Sequence, residues 1–284
     1  MPDSEAATPP PANDLPALLE RTLAAAREAS ELAAARFCTD VRCEHKADGS
    51  PVTEVDLAVD ALLRQRLMAA LPDAGWLSEE STQGHGWLAR ERVWVVDPLD
   101  GTGGFLRRDP HWCVAIALVE HGRAVLGVIH APALERTWWA AAGHGAFVNG
   151  AAARVSARQE LEGARLIGPK SLLNAAAWDV PWPAVQVRRY PSLALRLAFV
   201  GSGDADGMIA PGGKNYWDVA AGDVIVREAG GKAGDMQGRA LRYDHASARV
   251  GGVIAAPAAL FEEMAALARG WRGCGRHGKR GKST

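Results

Sequence analysis

The most constraining stretch of this chain is Val93-Trp94-Val95-Val96, an unbroken apolar run that ends on Asp97-Pro98-Leu99-Asp100-Gly101-Thr102. A short apolar run of β-branched and aromatic residues reads as a strand buried on both faces. Two carboxylates follow at its end, and the Pro98 ring stiffens the turn between them so that both face one place. Clustered carboxylates repel one another and resist desolvation, and a bound cation removes that penalty. Hard cations such as magnesium take oxygen ligands, completed by water and substrate phosphate. The next residues, Gly101-Thr102-Gly103-Gly104, offer backbone N–H groups with little side-chain obstruction, a setting that suits a phosphate.

The rest of the chain supplies layers around this strand. Leu19, Leu23, Ala26 and Ala33 recur at helical spacing and predict a helix from near Asn13 to about Phe37. Lys46 to Pro51 is a loop by composition. Thr53-Glu54-Val55-Asp56 has the form of a capping box opening a second helix, closed near Pro72. Gly75 to Ser78 reads as a strand running into Glu79-Glu80. Glu79 and Asp97 would then leave the same rim of a sheet, where open α/β sheets place their ligands. Trp112–Val119 and Ala124–Ile129 read as a hairpin turning at His121-Gly122, with at least one more strand in Thr137–Val148. The second half reads as a strand near Leu166, a helix over Leu193–Phe199, a strand around Met208, and a helix from Trp217 to about Ala229. Gly230-Gly231 stops that last helix. The alternation predicts an α/β (α+β) fold of mixed sheets sandwiched by helices. Residues 1–12 read as a disordered lead-in, 13–150 as an α+β half with the metal-site motifs, and 151–268 as an α/β half completing the site. Residues 269–284 read as a basic disordered tail with no apolar anchor beyond Trp271.

Composition excludes several classes. With 48% apolar residues, 23% charged residues and a net charge of −1, the chain carries a globular core and no overall field towards nucleic acid or membrane. No apolar run reaches the ~18 residues of a membrane span. The N-terminus is acidic and Pro-rich, unlike a secretory signal. Cys38, Cys43, Cys113 and Cys274 form no Cys-x-x-Cys pair, against a structural zinc site or a disulfide framework. The expectation is a cytoplasmic protein with no membrane and no nucleic-acid partner.

Four motifs in order resemble the inositol monophosphatase family. Asp97 to Thr102 is similar to its Asp-Pro-φ-Asp-Gly-Thr signature, φ being apolar. Gly49 to Asp56 resembles its first motif, and Leu77-Ser78-Glu79-Glu80-Ser81 resembles its Gly-Glu-Glu-Ser element. Trp217-Asp218-Val219-Ala220-Ala221-Gly222, followed by Glu228-Ala229-Gly230-Gly231, resembles its second signature. The match runs from about residue 15 to 265. It implies a layered αβαβα sandwich, a magnesium-dependent phosphomonoesterase using two or three ions, a small phosphorylated substrate, lithium inhibition and a homodimer. It also implies roles residue by residue. Glu79, Asp97 and the main-chain oxygen of Leu99 would hold a first magnesium, and Asp97 would bridge to a second held by Asp100 and Asp218. Thr102 and Glu79 would orient the attacking water, and Asp56 would orient Thr102. Gly101, Thr102 and Gly103 would face the phosphate. Glu80 reads as a supporting or surface residue, and Lys46 as flanking the site or exposed.

Two departures bear on substrate. Gly103-Gly104 stands where inositol phosphatases read Thr-Asn and bisphosphate nucleotidases Lys-Glu. Ala210 to Tyr216 contains no acid, where inositol phosphatases carry a glutamate for ring hydroxyls. Lys214 there offers a cation that would suit a second phosphate, or points to solvent as most lysines do. The tilt is towards a 3′(2′),5′-bisphosphate nucleotide such as 3′-phosphoadenosine 5′-phosphate over inositol 1-phosphate. Histidinol phosphate and sugar phosphates remain alternatives. A non-catalytic interaction protein is the competing class, and the presence of every expected carboxylate argues against it.

Overall fold

In the computed structural model, which describes residues 15–47, 49–81 and 84–272, the first half builds one sheet and covers one of its faces. Helix α1 (Leu15–Ala34) is followed by a small hairpin, β1 (Cys43–His45) and β2 (Pro51–Thr53), and then by α2 (Glu54–Ala70). Strands β3 (Gly75–Ser78) and β4 (Arg92–Asp100) come next, then the short helix α3 (Thr102–Leu106). The sheet continues with β5 (Cys113–Glu120), β6 (Arg123–Ala131), β7 (Arg136–Ala141), β8 (Ala146–Val148) and β9 (Ala151–Ala152). Its seven strands lie in sequence order, with β3 and β4 parallel and the other pairs antiparallel. The β5–β6 hairpin turns at His121 (φ 48°) and Gly122 (φ 72°), both left-handed as a tight two-residue turn requires.

The second half adds β10 (Arg165–Ile167), β11 (Gln186–Arg188), α4 (Leu193–Gly201), β12 (Gly207–Asn215), α5 (Tyr216–Glu228), β13 (Gly231–Gly234), β14 (Arg249–Pro257) and α6 (Ala258–Ala268). The strands form a mixed five-stranded sheet in the order β11-β10-β12-β14-β13. Neither β14 nor α6 is foreshadowed in the sequence pattern. The pair Gly251-Gly252 makes β14 look like a loop, yet Gly252 lies against Met236 and the Ala210 carbonyl in a backbone conformation (φ 126°) open to glycine.

Three apolar layers hold these elements together, in the αβαβα order. Alternation along β4 sends Trp94 and Val96 into a cluster with α1 and α2, through Leu18, Ala29, Leu63 and Leu67. Val93 and Val95 face the opposite cluster, with α4, α5 and the inner face of the second sheet, through Leu197, Val224, Met208 and Ala255. The outer face of that sheet meets α6 through Ile209, Ile254, Phe261 and Met264. The strand at Val93–Val96 is thus buried on both faces, as its apolar run predicts.

Two expectations need correction. The Asp97–Asp100 segment is not a turn after the strand, because β4 itself runs on to Asp100. Asp97 pairs with Ala115 and Asp100 with Cys113, so one extra residue bulges out between them. Pro98, which has no N–H to donate, fits such a bulge. Second, the tail is anchored at its start. Trp271 bridges Trp178 and packs on the α6 cluster, and Arg272 pairs with Asp179 at 2.6 Å. Residues 1–12 and 273–284 lie outside the described residues. Among the described residues, no helix is long and apolar enough to cross a membrane.

Candidate active site

The site assembles where the two parallel strands end. Ser78 of β3 is paired with Val96 of β4, and the Glu79 N–H donates to the Val96 carbonyl at 3.2 Å. Glu79 and Asp97 therefore leave the sheet side by side. Asp218 arrives from the opposite layer, on the first turn of α5. One carboxylate oxygen from each of Glu79, Asp97 and Asp218 lies within 4.8 Å of the others, a spacing that one cation can bridge. Asp100 falls outside that set.

Each acid is held by local hydrogen bonds. The bulge folds Asp97 back so that its Oδ1 accepts the Leu99 N–H at 3.0 Å. Asp218 is the third helical residue of α5, and its Oδ2 accepts the Asn215 N–H at 3.1 Å. Asp56 occupies the same position in α2 and completes the capping box read from the sequence, with its Oδ2 accepting the Thr53 N–H at 2.8 Å. Its other oxygen, Oδ1, lies 3.0 Å from the Thr102 hydroxyl, which is also 3.0 Å from the Leu99 carbonyl. One proton serves two acceptors there, so a lone pair of Thr102 stays available for another donor.

Burial sets the charge. Asp97 is 1% exposed. That burial, followed by the charges of Glu79, Asp100 and Asp218, pushes its carboxyl well above the ordinary range. Burial, then Asp100 and Glu79, pushes Asp218 up to about 8, against the opposing pull of the Asn215 N–H and Lys214. Burial also raises Asp100 and Asp56, in spite of the donors each accepts. An oxygen-rich, water-poor cluster that resists ionisation until a cation arrives fits magnesium.

The consequence for stability has a definite sign. Without metal, the folded protein keeps protons on Asp97 and Asp218 where the unfolded chain, with a pKa near ~3.9, has lost them. The folded state then binds more protons, so metal-free stability falls as pH rises from about 4 through about 8. A cation bound among these carboxylates would replace those protons. The rise in Tm on adding magnesium should be larger at about pH 8.5 than at about pH 5.5. Equal shifts at the two pH values, measured by scanning calorimetry, would contradict this.

Lys46 and Glu80 are not surface residues. The Lys46 ammonium donates to Glu79 Oε1 at 2.7 Å and to Glu80 Oε1 at 2.9 Å, latching the β1–β2 loop onto the site. Burial pushes Lys46 down, but the two carboxylates outweigh it and the ammonium is held above its usual value. Burial raises Glu80 to about 7 against the pull of Lys46. Lys214 is half-buried on β12, lowered by burial, then by Arg196, while Asp218 opposes. It therefore lies within electrostatic reach of Asp218 and does not extend freely into solvent.

The two glycines of the Gly103-Gly104 pair differ. A Cβ on Gly103 would meet only the Arg107 guanidinium at 3.4 Å, whereas one on Gly104 would run into the Pro191 ring at 2.8 Å. Gly101 has φ 100° with the His111 carbonyl 3.1 Å from where its Cβ would sit, so only glycine fits. Two participants were missed in the sequence. Ser192 donates to Asp100 Oδ2 at 2.7 Å, and Arg196 lies under the same segment. Ser192 directly precedes an apolar helical run, a helix-start signal, and Arg196 is the one charged residue in Leu193–Gly201.

Comparison with known proteins agrees with this geometry. A family model described as the inositol monophosphatase family matches residues 14–272. A histidinol-phosphatase of Mycobacterium tuberculosis is 37% identical over 251 residues, covering 82% of this chain and 92% of the relative. The Nus factor SuhB of Xylella fastidiosa is 40% identical over 195 residues, covering 66% of this chain and 69% of the relative. The solved structure of an IMPase from Thermotoga maritima superposes with a TM-score of 0.77 at 29% identity, covering 88% of this chain and 96% of that one. With this match over nearly its whole described length, the chain belongs to the inositol monophosphatase family.

Proposed function

We propose that this protein is a magnesium-dependent phosphatase that hydrolyses a small phosphate monoester at the Glu79–Asp97–Asp218 cluster. The observation that carries the reading is that cluster, with three carboxylates converging within 4.8 Å around a buried Asp97. Glu79, Asp97 and the Leu99 carbonyl would hold a first ion, and Asp97, Asp100 and Asp218 a second. Bound magnesium supplies Lewis-acid charge to the phosphoryl and leaving oxygens and lowers the pKa of the attacking water. Asp56 accepts the hydrogen bond of the Thr102 hydroxyl, which leaves a Thr102 lone pair to orient that water; Glu79 would hold the water's other side. The Gly101 and Thr102 N–H groups grip the phosphate, and Gly103 leaves the approach open.

Two substrate readings have an observation behind them. Half-buried Lys214, with Arg249 near it, favours a leaving group with a second anionic centre, such as 3′-phosphoadenosine 5′-phosphate. The M. tuberculosis relative, matched over 92% of its length and called a histidinol-phosphatase, favours L-histidinol phosphate, whose leaving group is instead cationic. A phosphate-release panel of these two with inositol 1-phosphate and fructose 1,6-bisphosphate separates them. Lys214→Ala should lower kcat/KM for the bisphosphate nucleotide about 10-fold or more, through loss of a charge-assisted contact. It should not impair an ammonium-bearing substrate.

All turnover should require added magnesium, disappear in Asp100→Asn, and fall in about tens of millimolar lithium, a cation that competes for carboxylate oxygens. Turnover by metal-stripped Asp100→Asn would sink the assignment. The SuhB relative carries the name Nus factor, which gives the interaction-protein class its one supporting observation. Because Trp271 and Arg272 are docked, truncation after Arg272 tests it cleanly: an enzyme keeps turnover, a tail-borne binding module loses its partner.

A further inference from the structure

Helix α4 is apolar and buried along nearly its whole length, except that Arg196 stands in the middle of it. A guanidinium is costly to take from water unless its donors are used. Among the described residues it makes no direct ion pair. Its Nε donates to the Tyr190 carbonyl at 2.8 Å and its Nη2 to the Pro191 carbonyl at 3.3 Å. These bonds tie down the segment that enters the helix. The segment is fitted elsewhere too: the Tyr190 ring packs on His111 at 4.7 Å and on Phe199 at 5.0 Å, and Pro191 fills the notch left by Gly104.

What the segment delivers is Ser192. The Leu195 N–H donates to Ser192 Oγ at 3.0 Å, which aims the hydroxyl proton at Asp100 Oδ2, 2.7 Å away. The Ala194 N–H donates to the same oxygen at 2.6 Å. Both donors converge on Oδ2, and the Leu193 N–H adds a further bond to the same carboxylate.

We propose that Arg196 is a positioning residue: by clamping the Tyr190–Pro191 carbonyls against Gly104, it holds Ser192 and the start of α4 on Asp100 and so fixes the orientation in which that carboxylate would meet a bound cation. The absence of a side chain at Gly104 belongs to the same device, because any Cβ there displaces Pro191. This rests on the metal-phosphatase reading above. Partners that orient a metal ligand are typically worth about 10–100-fold in metal affinity.

The test is a Mn2+ titration followed by electron paramagnetic resonance on the full chain, with no substrate present, for the parent, Arg196→Met and Gly104→Ala. Both variants should weaken Mn2+ binding about 10–100-fold and raise the magnesium concentration for half-maximal turnover by a similar factor. Substrate KM at saturating magnesium should change little, and Arg196→Lys should recover part of the loss. Should Arg196→Met fail to fold, Gly104→Ala alone decides. Unchanged Mn2+ binding in the folded variants, or an effect confined to substrate KM, overturns the inference. A parent that binds no Mn2+ at all overturns the metal-phosphatase reading instead.

Discussion

Replacing Asp97 by Asn is expected to lower kcat/KM by about 10³-fold or more while leaving the metal-free protein at least as stable as the parent at about pH 8. A lost outer-sphere partner already costs about 10–100-fold, and Asp97 stands inside the carboxylate set. The stability half of the expectation follows from burial. Asp97 is 1% exposed and has Glu79, Asp100, Asp218 and Asp56 raising its carboxyl in addition to desolvation. An amide has nearly the same shape, can still accept the Leu99 N–H, and carries no charge to be repelled. A variant that loses both turnover and fold would show that Asp97 is a structural residue. Loss of turnover with an unchanged or raised Tm would show that its charge serves a cation.

Gly127→Val should destabilise the protein by about 3 kcal/mol or more, at the upper end of overpacking costs. Gly127 lies in β6 where α5 crosses the sheet, and its Cβ would lie 2.5 Å from both the Ala221 carbonyl oxygen and Val224 Cγ1. The carbonyl belongs to a helix backbone, which has no rotamer to retreat into. Relief requires moving α5, and α5 carries Asp218, so residual folded protein should also bind magnesium more weakly. Gly86→Ala is the control: nothing lies within 4 Å of its Cβ position, and its effect should stay within about 0.5 kcal/mol. Urea denaturation of the three proteins measures both. A stability loss of less than about 1 kcal/mol for Gly127→Val would mean that the sheet and α5 pack more loosely than their separation implies.

Much of the site was readable because its parts are set by near neighbours. Thr53 and Asp56 are three residues apart and cap their helix wherever it lies. Glu79 and Asp97 each follow a short apolar run, and the parallel pairing of those runs brings them level. The β14 strand was not readable, because glycines placed for close contact look like glycines placed for a turn. The bulge in β4 was misread for a related reason. Asp-Pro-Leu-Asp has turn composition, and only the β5 partner shows that pairing resumes at Asp100.

The candidate site was therefore written locally: which carboxylates exist, which strand and helix turns carry them, and that their chemistry suits a hard cation. Interactions within three or four residues decide such matters. The state of each carboxylate was decided by layers meeting from far along the chain. Lys46 reaches Glu79 across 33 positions and Ser192 reaches Asp100 across 92, contacts that no local pattern encodes. Burial did the rest, raising Asp97 and Asp218 above the usual carboxylate range, because desolvation depends on everything packed around a group and not on its neighbours in sequence.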